Sequence, residues 1–146
     1  MTTLVPEDFD PPLPPPHAAF TFEVLGPEHN EADLAAWSTS IDHIHRSPGW
    51  EGEVWPERVY TLEENLADLK RHRAHHERGL DFAWTVLEPD GRHVIGCVYL
   101  KPDRTGEADA EARSWVSLER AELDTVLREH LRPWWASAWP MTIRYA

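Results

Sequence analysis

Between His43 and Trp55 the chain gathers side chains that can do chemistry: His43, His45, Arg46, Ser47, Trp50 and Trp55. An imidazole changes charge near neutral pH, so His45 is suited to accept a proton there. Two loop tryptophans bring much apolar surface to one place, since each ring can bury roughly 150–250 Å². They either fold back as a lid on the core or form an aromatic wall for a ligand. A second set is His72, His75 and His76. His72 and His76 stand one helical turn apart, a spacing that can hold a metal. Their neighbours Arg71, Arg73 and Arg78 instead make this a basic, solvated face. His43 and His45, two residues apart, point to different sides of any helix and make a poor ligand pair. Cys97 sits in an apolar run and reads as a small core residue, not a nucleophile. The sequence shows no Ser-His-Asp arrangement, no P-loop and no dinucleotide-type glycine motif.

Composition narrows the partners. The 146 residues suit one domain. Fourteen Lys+Arg against twenty-six Asp+Glu give −12 at pH 7, which argues against nucleic acid and against anionic lipid. A single cysteine rules out an intrachain disulfide and a cysteine-rich zinc module. Met1 to Pro16 has neither the basic start nor the apolar run of a signal peptide. No stretch offers the roughly 20 apolar residues of a membrane span. A cytoplasmic protein is therefore the expectation.

The elements that must position these residues follow from periodicity. Residues 1–17 form a proline-rich arm, with six prolines in VPEDFDPPLPPP. Proline lacks a donor and fixes φ, so the arm is expected to be extended and outside the core. It is either a disordered leader or a ligand for a proline-reading partner. Residues 18–146 read as a single domain. Phe20, Phe22 and Val24 alternate with polar residues as a strand. Leu34, Trp37, Ile41 and Ile44 give one helix an apolar face, ended by Pro48-Gly49. Thr61 and Glu64 form a capping box that opens a second helix with a Leu62, Leu66, Leu69 stripe, stopped by Gly79. Strands at 82–87 and 94–100 flank turn residues Pro89 to Arg92 and make an antiparallel hairpin. A strand at 110–117, a helix at 121–138 that Pro133 kinks or cuts short, and a strand at 141–145 complete the chain. The fold class is α/β (α+β): a mixed, mostly antiparallel sheet flanked by helices, in the order β-α-α-β-β-β-α-β.

That order, the hairpin strand Val94-Ile95-Gly96-Cys97-Val98-Tyr99-Leu100 and the strand end Trp115-Val116 ahead of a helix resemble the GCN5-related N-acetyltransferase (GNAT) superfamily over residues 18–146. The resemblance implies acetyl-CoA as cofactor and a small-molecule amine as acceptor. It implies that the strand splays beside Val116, leaving the backbone of Val116, Ser117 and Leu118 free for the pantetheine arm. The turn of Arg120, Ala121, Glu122 and Leu123 would then meet the pyrophosphate at a helix start. The loop holding His43, Arg46, Trp50 and Trp55 would lie over the acceptor, with His45 as proton acceptor. Glu111, at the start of the central strand, would be a catalytic base or, more simply, an exposed strand carboxylate.

The chain departs from the family pattern at the phosphate turn. Leu123 and Thr125 stand where the family has glycines, and Glu119, Glu122 and Asp124 add carboxylates to an anion site. Like charges at about 5 Å cost roughly 1–3 kcal/mol each. No later tyrosine follows Tyr145 to protonate a leaving thiolate. The last strand is expected to leave a bare sheet edge, which a homodimer would cover. Two activities follow as expectations: an N-acetyltransferase acting on an unidentified amine, or a non-catalytic GNAT-fold protein that binds a ligand or partner in the same cleft.

Overall fold

A computed structural model describes residues 2–146. Five strands form one sheet in the order β1-β2-β3-β4-β5: β1 (Thr21–Val24), β2 (Phe82–Leu87), β3 (Val94–Pro102), β4 (Ala110–Val116) and β5 (Ile143–Tyr145). The first four pair antiparallel, and β5 runs parallel to β4. Helices α1 (Asn30–Ser38), α2 (Ile41–Arg46) and α3 (Leu62–Arg78) cover one face, and α4 (Leu123–Ala138) covers the other.

Alternation decides which side chain meets which layer. Phe82, Trp84 and Val86 of β2 join Leu127, Leu131, Trp134 and Trp135 of α4. Ala83 of β2 and Cys97 and Tyr99 of β3 join Trp37, Ile44 and Leu69 on the opposite side. All six β2 residues are buried, as expected of a strand covered twice. Under α4, Trp84, Trp134, Trp135 and Trp139 pack ring against ring, with centroids 4.6 Å apart for Trp134 and Trp135.

The second helix starts where its capping box predicts. Thr61 Oγ1 accepts from the Glu64 amide at 3.1 Å, and Glu64 accepts from the Thr61 amide at 3.0 Å. Gly79 closes it at φ 71°, the left-handed position that glycine takes without strain. Its buried face differs from the leucine stripe. Leu62 is exposed, while Asn65, Leu69 and His72 are buried. Of its polar members Asn65 is bonded, whereas His72 keeps a buried Nδ1 without a partner among the described residues. Asn65 accepts from Trp37 Nε1 at 3.1 Å and donates to Asn30 and Asp33.

Three other expectations are corrected. The single helix before Pro48 is two, broken at Thr39. Ser38, Thr39 and Ser40 stand in a row there, and the Thr39 and Ser40 hydroxyls bond to the Ala35 and Ala36 carbonyls. Pro133 neither cuts α4 short nor keeps it from reaching Ala138. The N-terminal arm is extended but not outside the core. Val5 is buried, the Leu4 amide donates to Gly79 O at 2.7 Å, and Phe9 packs on Trp139 at 5.3 Å. His130 Nε2 donates to Pro15 O at 2.6 Å. Apolar residues between the prolines give the arm its hold.

Candidate functional site

Two features meet at β4. The first is an open stretch of sheet edge. Pairing of β4 with β5 covers Ala110↔Ile143, Glu111↔Arg144 and Ala112↔Tyr145. Among the described residues no strand lies beside β4 on the β5 side at Ser114 and Val116. On the other side Gly96 faces Val116 so closely that a Cβ at Gly96 would stand 2.0 Å from Trp115 O. That glycine lets β3 and β4 approach closely at this end of the sheet.

That edge is partly covered by the chain itself. Trp50 Nε1 donates to Ser114 O at 2.9 Å, and Arg128 Nη2 donates to the same oxygen at 3.1 Å. Buried Arg128 also reaches Pro48 O, Ala146 O and the Asp124 carboxylate. Tyr145 and Ser114 share a hydroxyl hydrogen bond of 2.6 Å in the same place. Burial raises the Tyr145 phenol above its usual range, so it is a proton donor at neutral pH.

The second feature is a cavity of about 310 Å³ on the α3 side of β3 and β4. Trp50, Trp55, Tyr60 and Tyr99 supply its rings, with Trp50 5.6 Å from Trp55 and 5.8 Å from Tyr99. Charged groups from three elements surround them: Asp68, Arg71 and His72 of α3, Lys101 of β3, and Glu111 and Arg113 of β4. Most are paired. Glu111 accepts from Arg144 and from Arg113 at 2.8 Å, and Glu53 accepts from Arg113. Burial acts to raise Asp68, but the hydrogen bonds and charges of His72 and Arg71 outweigh it and hold the carboxyl at about 2.

The structure brings Trp50, Trp55 and Glu111 together in this cavity. Trp50 is buried on the core, as the lid reading expects, and it also lines the cavity. Glu111 is not the exposed strand carboxylate of the simpler reading; it is buried among guanidinium groups. His43, His45 and Arg46 do not line the cavity. His45 is bonded by Nε2 to Pro56 O at 2.5 Å, which ties α2 to the loop, and Arg46 is exposed. Sequence reasoning missed Tyr60, Tyr99, Asp68 and Lys101. An alternation signal at Tyr99-Leu100-Lys101 placed Tyr99 and Lys101 on the same face, but nothing local named that face as the cavity's.

The phosphate turn also differs from expectation. The Leu118 amide donates to Ser40 Oγ at 2.9 Å, and the Arg120 and Ala121 amides donate to Ser117 O and Leu118 O. The Arg120 guanidinium is paired with Glu88. A tight 3-10 turn thus satisfies amides that a pyrophosphate would need, and only Glu122 and Leu123 remain of the expected donors. Cys97 is fully buried and its thiol is pushed up by burial, as an inert core residue should be. Among the described residues no group of three or more His, Cys, Asp or Glu is placed to hold a metal. No helix among them is long and apolar enough to cross a membrane.

A five-stranded sheet with a parallel β4–β5 pair and helices on both faces has solved counterparts. The microcin self-immunity acetyltransferase MccE, solved with acetyl-CoA and AMP, superposes with a TM-score of 0.61 at 10% identity, over 84% of this chain and 66% of that one. The chain has the GNAT fold. The RimL ribosomal alpha-N-protein acetyltransferase in complex with coenzyme A gives 0.57 at 14% identity, over 87% and 69% of the two chains. FdhC, a nucleotide-linked sugar GNAT, gives 0.54 at 8% identity, over 85% and 67%. At such identities the GNAT likeness carries the architecture alone, and the chain spans about two thirds of each of these proteins. No family model matches the sequence, and no curated protein matches it.

Proposed function

We propose that this GNAT-fold chain transfers an acetyl group from acetyl-CoA to an amine seated in the aromatic cavity. The observation that carries the reading is the β5-side edge of β4 at Ser114 and Val116, which no strand among the described residues pairs and which Trp50 links to that cavity. The unpaired Val116 backbone suits the amide-bearing arm of an acyl thioester. The turn at Leu118–Arg120 does not suit a pyrophosphate in its present form, because its amides and the Arg120 guanidinium are already bonded within the chain. Bound acetyl-CoA would supply an acyl carbon activated by its thiol leaving group.

The chain's own residues would do the rest. Trp50, Trp55 and Tyr99 exclude water around the acceptor. His72 lines the cavity with Asp68 Oδ2 3.5 Å from its Nε2, and this pair takes the proton that the acceptor nitrogen loses. Glu111 is better read as the clamp that orients Arg113 and Arg144, because both of its oxygens are engaged. The Tyr145 hydroxyl, beside Ser114, returns a proton to the departing sulfur.

A second reading is favoured by one observation: Trp50 and Arg128 already occupy the Ser114 carbonyl. In that reading the chain binds a ligand in the cavity and transfers nothing. Calorimetric titration with acetyl-CoA separates the two. Saturable binding, tightened in Trp50→Phe because the ring stays while the indole N–H bond is lost, supports transfer. No heat from either protein at millimolar acetyl-CoA leaves the second reading standing.

A further inference from the structure

The charged groups of the cavity are unevenly satisfied, and the exceptions point to its occupant. Glu53 and Glu111 are saturated by Arg113, Arg104 and Arg144. Asp68 is only half used. Its Oδ1 accepts from Arg71 at 2.6 Å, while its Oδ2 has nothing nearer than His72 at 3.5 Å. Lys101, one of only two lysines in the chain, is exposed, and among the described residues no carboxylate lies within ion-pair distance of it. Its ammonium lies 5.9 Å from the centre of the Tyr99 ring, and Tyr99 also meets His72 at 5.7 Å. The cavity therefore has a half-used anionic oxygen on α3 and an unpaired cation on β3, both beside its aromatic rings.

We propose that the cavity binds a free α-amino acid zwitterion with an aromatic or large apolar side chain. The ligand ammonium meets Asp68 Oδ2, its carboxylate meets Lys101, and its side chain lies among Trp50, Trp55 and Tyr60. A simple organic cation satisfies Asp68 and leaves Lys101 facing a like charge. A simple carboxylate leaves Asp68 without a donor. The cavity volume is at the low end of the roughly 300–1,000 Å³ range of small-molecule sites, which fits a ligand of amino-acid size. As the acceptor in acetyl transfer this ligand rests on the reading above, but its binding does not.

The test is calorimetry on the full chain with L-phenylalanine, L-phenylalaninamide and 3-phenylpropionate, without acetyl-CoA. L-Phenylalanine is expected to bind, and each analogue to bind about tenfold more weakly or worse. Lys101→Met, an exposed substitution, is expected to lower the affinity for L-phenylalanine to that for the amide while leaving the amide unchanged. Asp68→Asn is expected to bring L-phenylalanine down to the level of 3-phenylpropionate. Equal binding of the amide and the acid, an unchanged Lys101→Met, or no heat with L-phenylalanine on a protein with native circular dichroism overturns the proposal. A parallel acetyl-CoA titration keeps the two ideas apart. L-Phenylalanine binding without acetyl-CoA binding upholds the zwitterion site and removes transfer, and the reverse removes the zwitterion site alone.

Discussion

Asp33 shows how one buried carboxyl can govern behaviour with pH. It is almost fully buried on α1, and its only close donor is Asn65 Nδ2 at 3.2 Å. Burial pushes it up to about 7, partly countered by that hydrogen bond and reinforced by the charge of Asp68. In the folded chain Asp33 keeps its proton to about pH 7, whereas an ordinary aspartate releases it near 3.8. The unfolded chain then binds fewer protons in that window, so stability falls as pH rises through it and levels off above. The full effect is at most about 4 kcal/mol. Asp33→Asn keeps the shape and an acceptor for Asn65. It is expected to flatten this part of the stability curve and to be the more stable protein at about pH 8, read from urea unfolding at acid and alkaline pH. Arg128 is the opposite case, a buried charge with hydrogen bonds from all three of its nitrogens. Arg128→Met leaves the Asp124 carboxylate and the Ser114 and Pro48 carbonyls without it, and is expected to cost about 3–5 kcal/mol in the same assay.

At the scale of elements, the β3–β4 pair is set by Gly96. A side chain there meets the Trp115 backbone, which cannot give way without breaking the ladder. Gly96→Ala is expected to destabilise by more than about 3 kcal/mol, seen as a lowered unfolding midpoint or loss of soluble protein. Thr61→Ala removes one half of the α3 capping box and is expected to cost about 1 kcal/mol. These elements were legible because their signals are local: alternation in 82–87, the apolar run around Gly96, Thr61 with Glu64, and glycine at 79. The site was only partly legible. Trp50, Trp55 and Glu111 were singled out, but the side chains that complete the cavity come from α3 and β3, and no spacing in sequence links Asp68 to Lys101. The leucine stripe misled on α3 because periodicity counts apolar residues and does not see that Asn65 finds partners inside and that His72 packs on Tyr99. The helix break at Ser38-Thr39-Ser40 carried a readable signal, three hydroxyl residues able to bond back to the preceding turn.

For the whole molecule the arm is part of the fold. Leu4, Val5 and Phe9 pack against the cluster under α4, and Pro15 is held by His130. Deleting residues 1–16 is expected to lower the thermal midpoint measurably, since burial of one such side chain contributes roughly 1.5–3 kcal/mol. A tail that only hangs from the domain would leave the midpoint unchanged. At the far end of the sheet β5 has β4 on one side and, among the described residues, no strand on the other. A second copy covering that edge is the proposal, and light scattering at micromolar concentration decides it: dimer mass supports it, monomer mass at every concentration rejects it.

The four indoles under α4 give this chain a built-in optical reporter. Trp84, Trp134, Trp135 and Trp139 lie with ring centres 4.6–6.1 Å apart and at angles between 41° and 88°. Transition dipoles that close and that obliquely set couple, so the native state should show a split signal in ultraviolet circular dichroism and depressed, rapidly shared emission. Loosening of the α4 layer would erase the split before the helices themselves melt, and that layer could be followed without attaching a label.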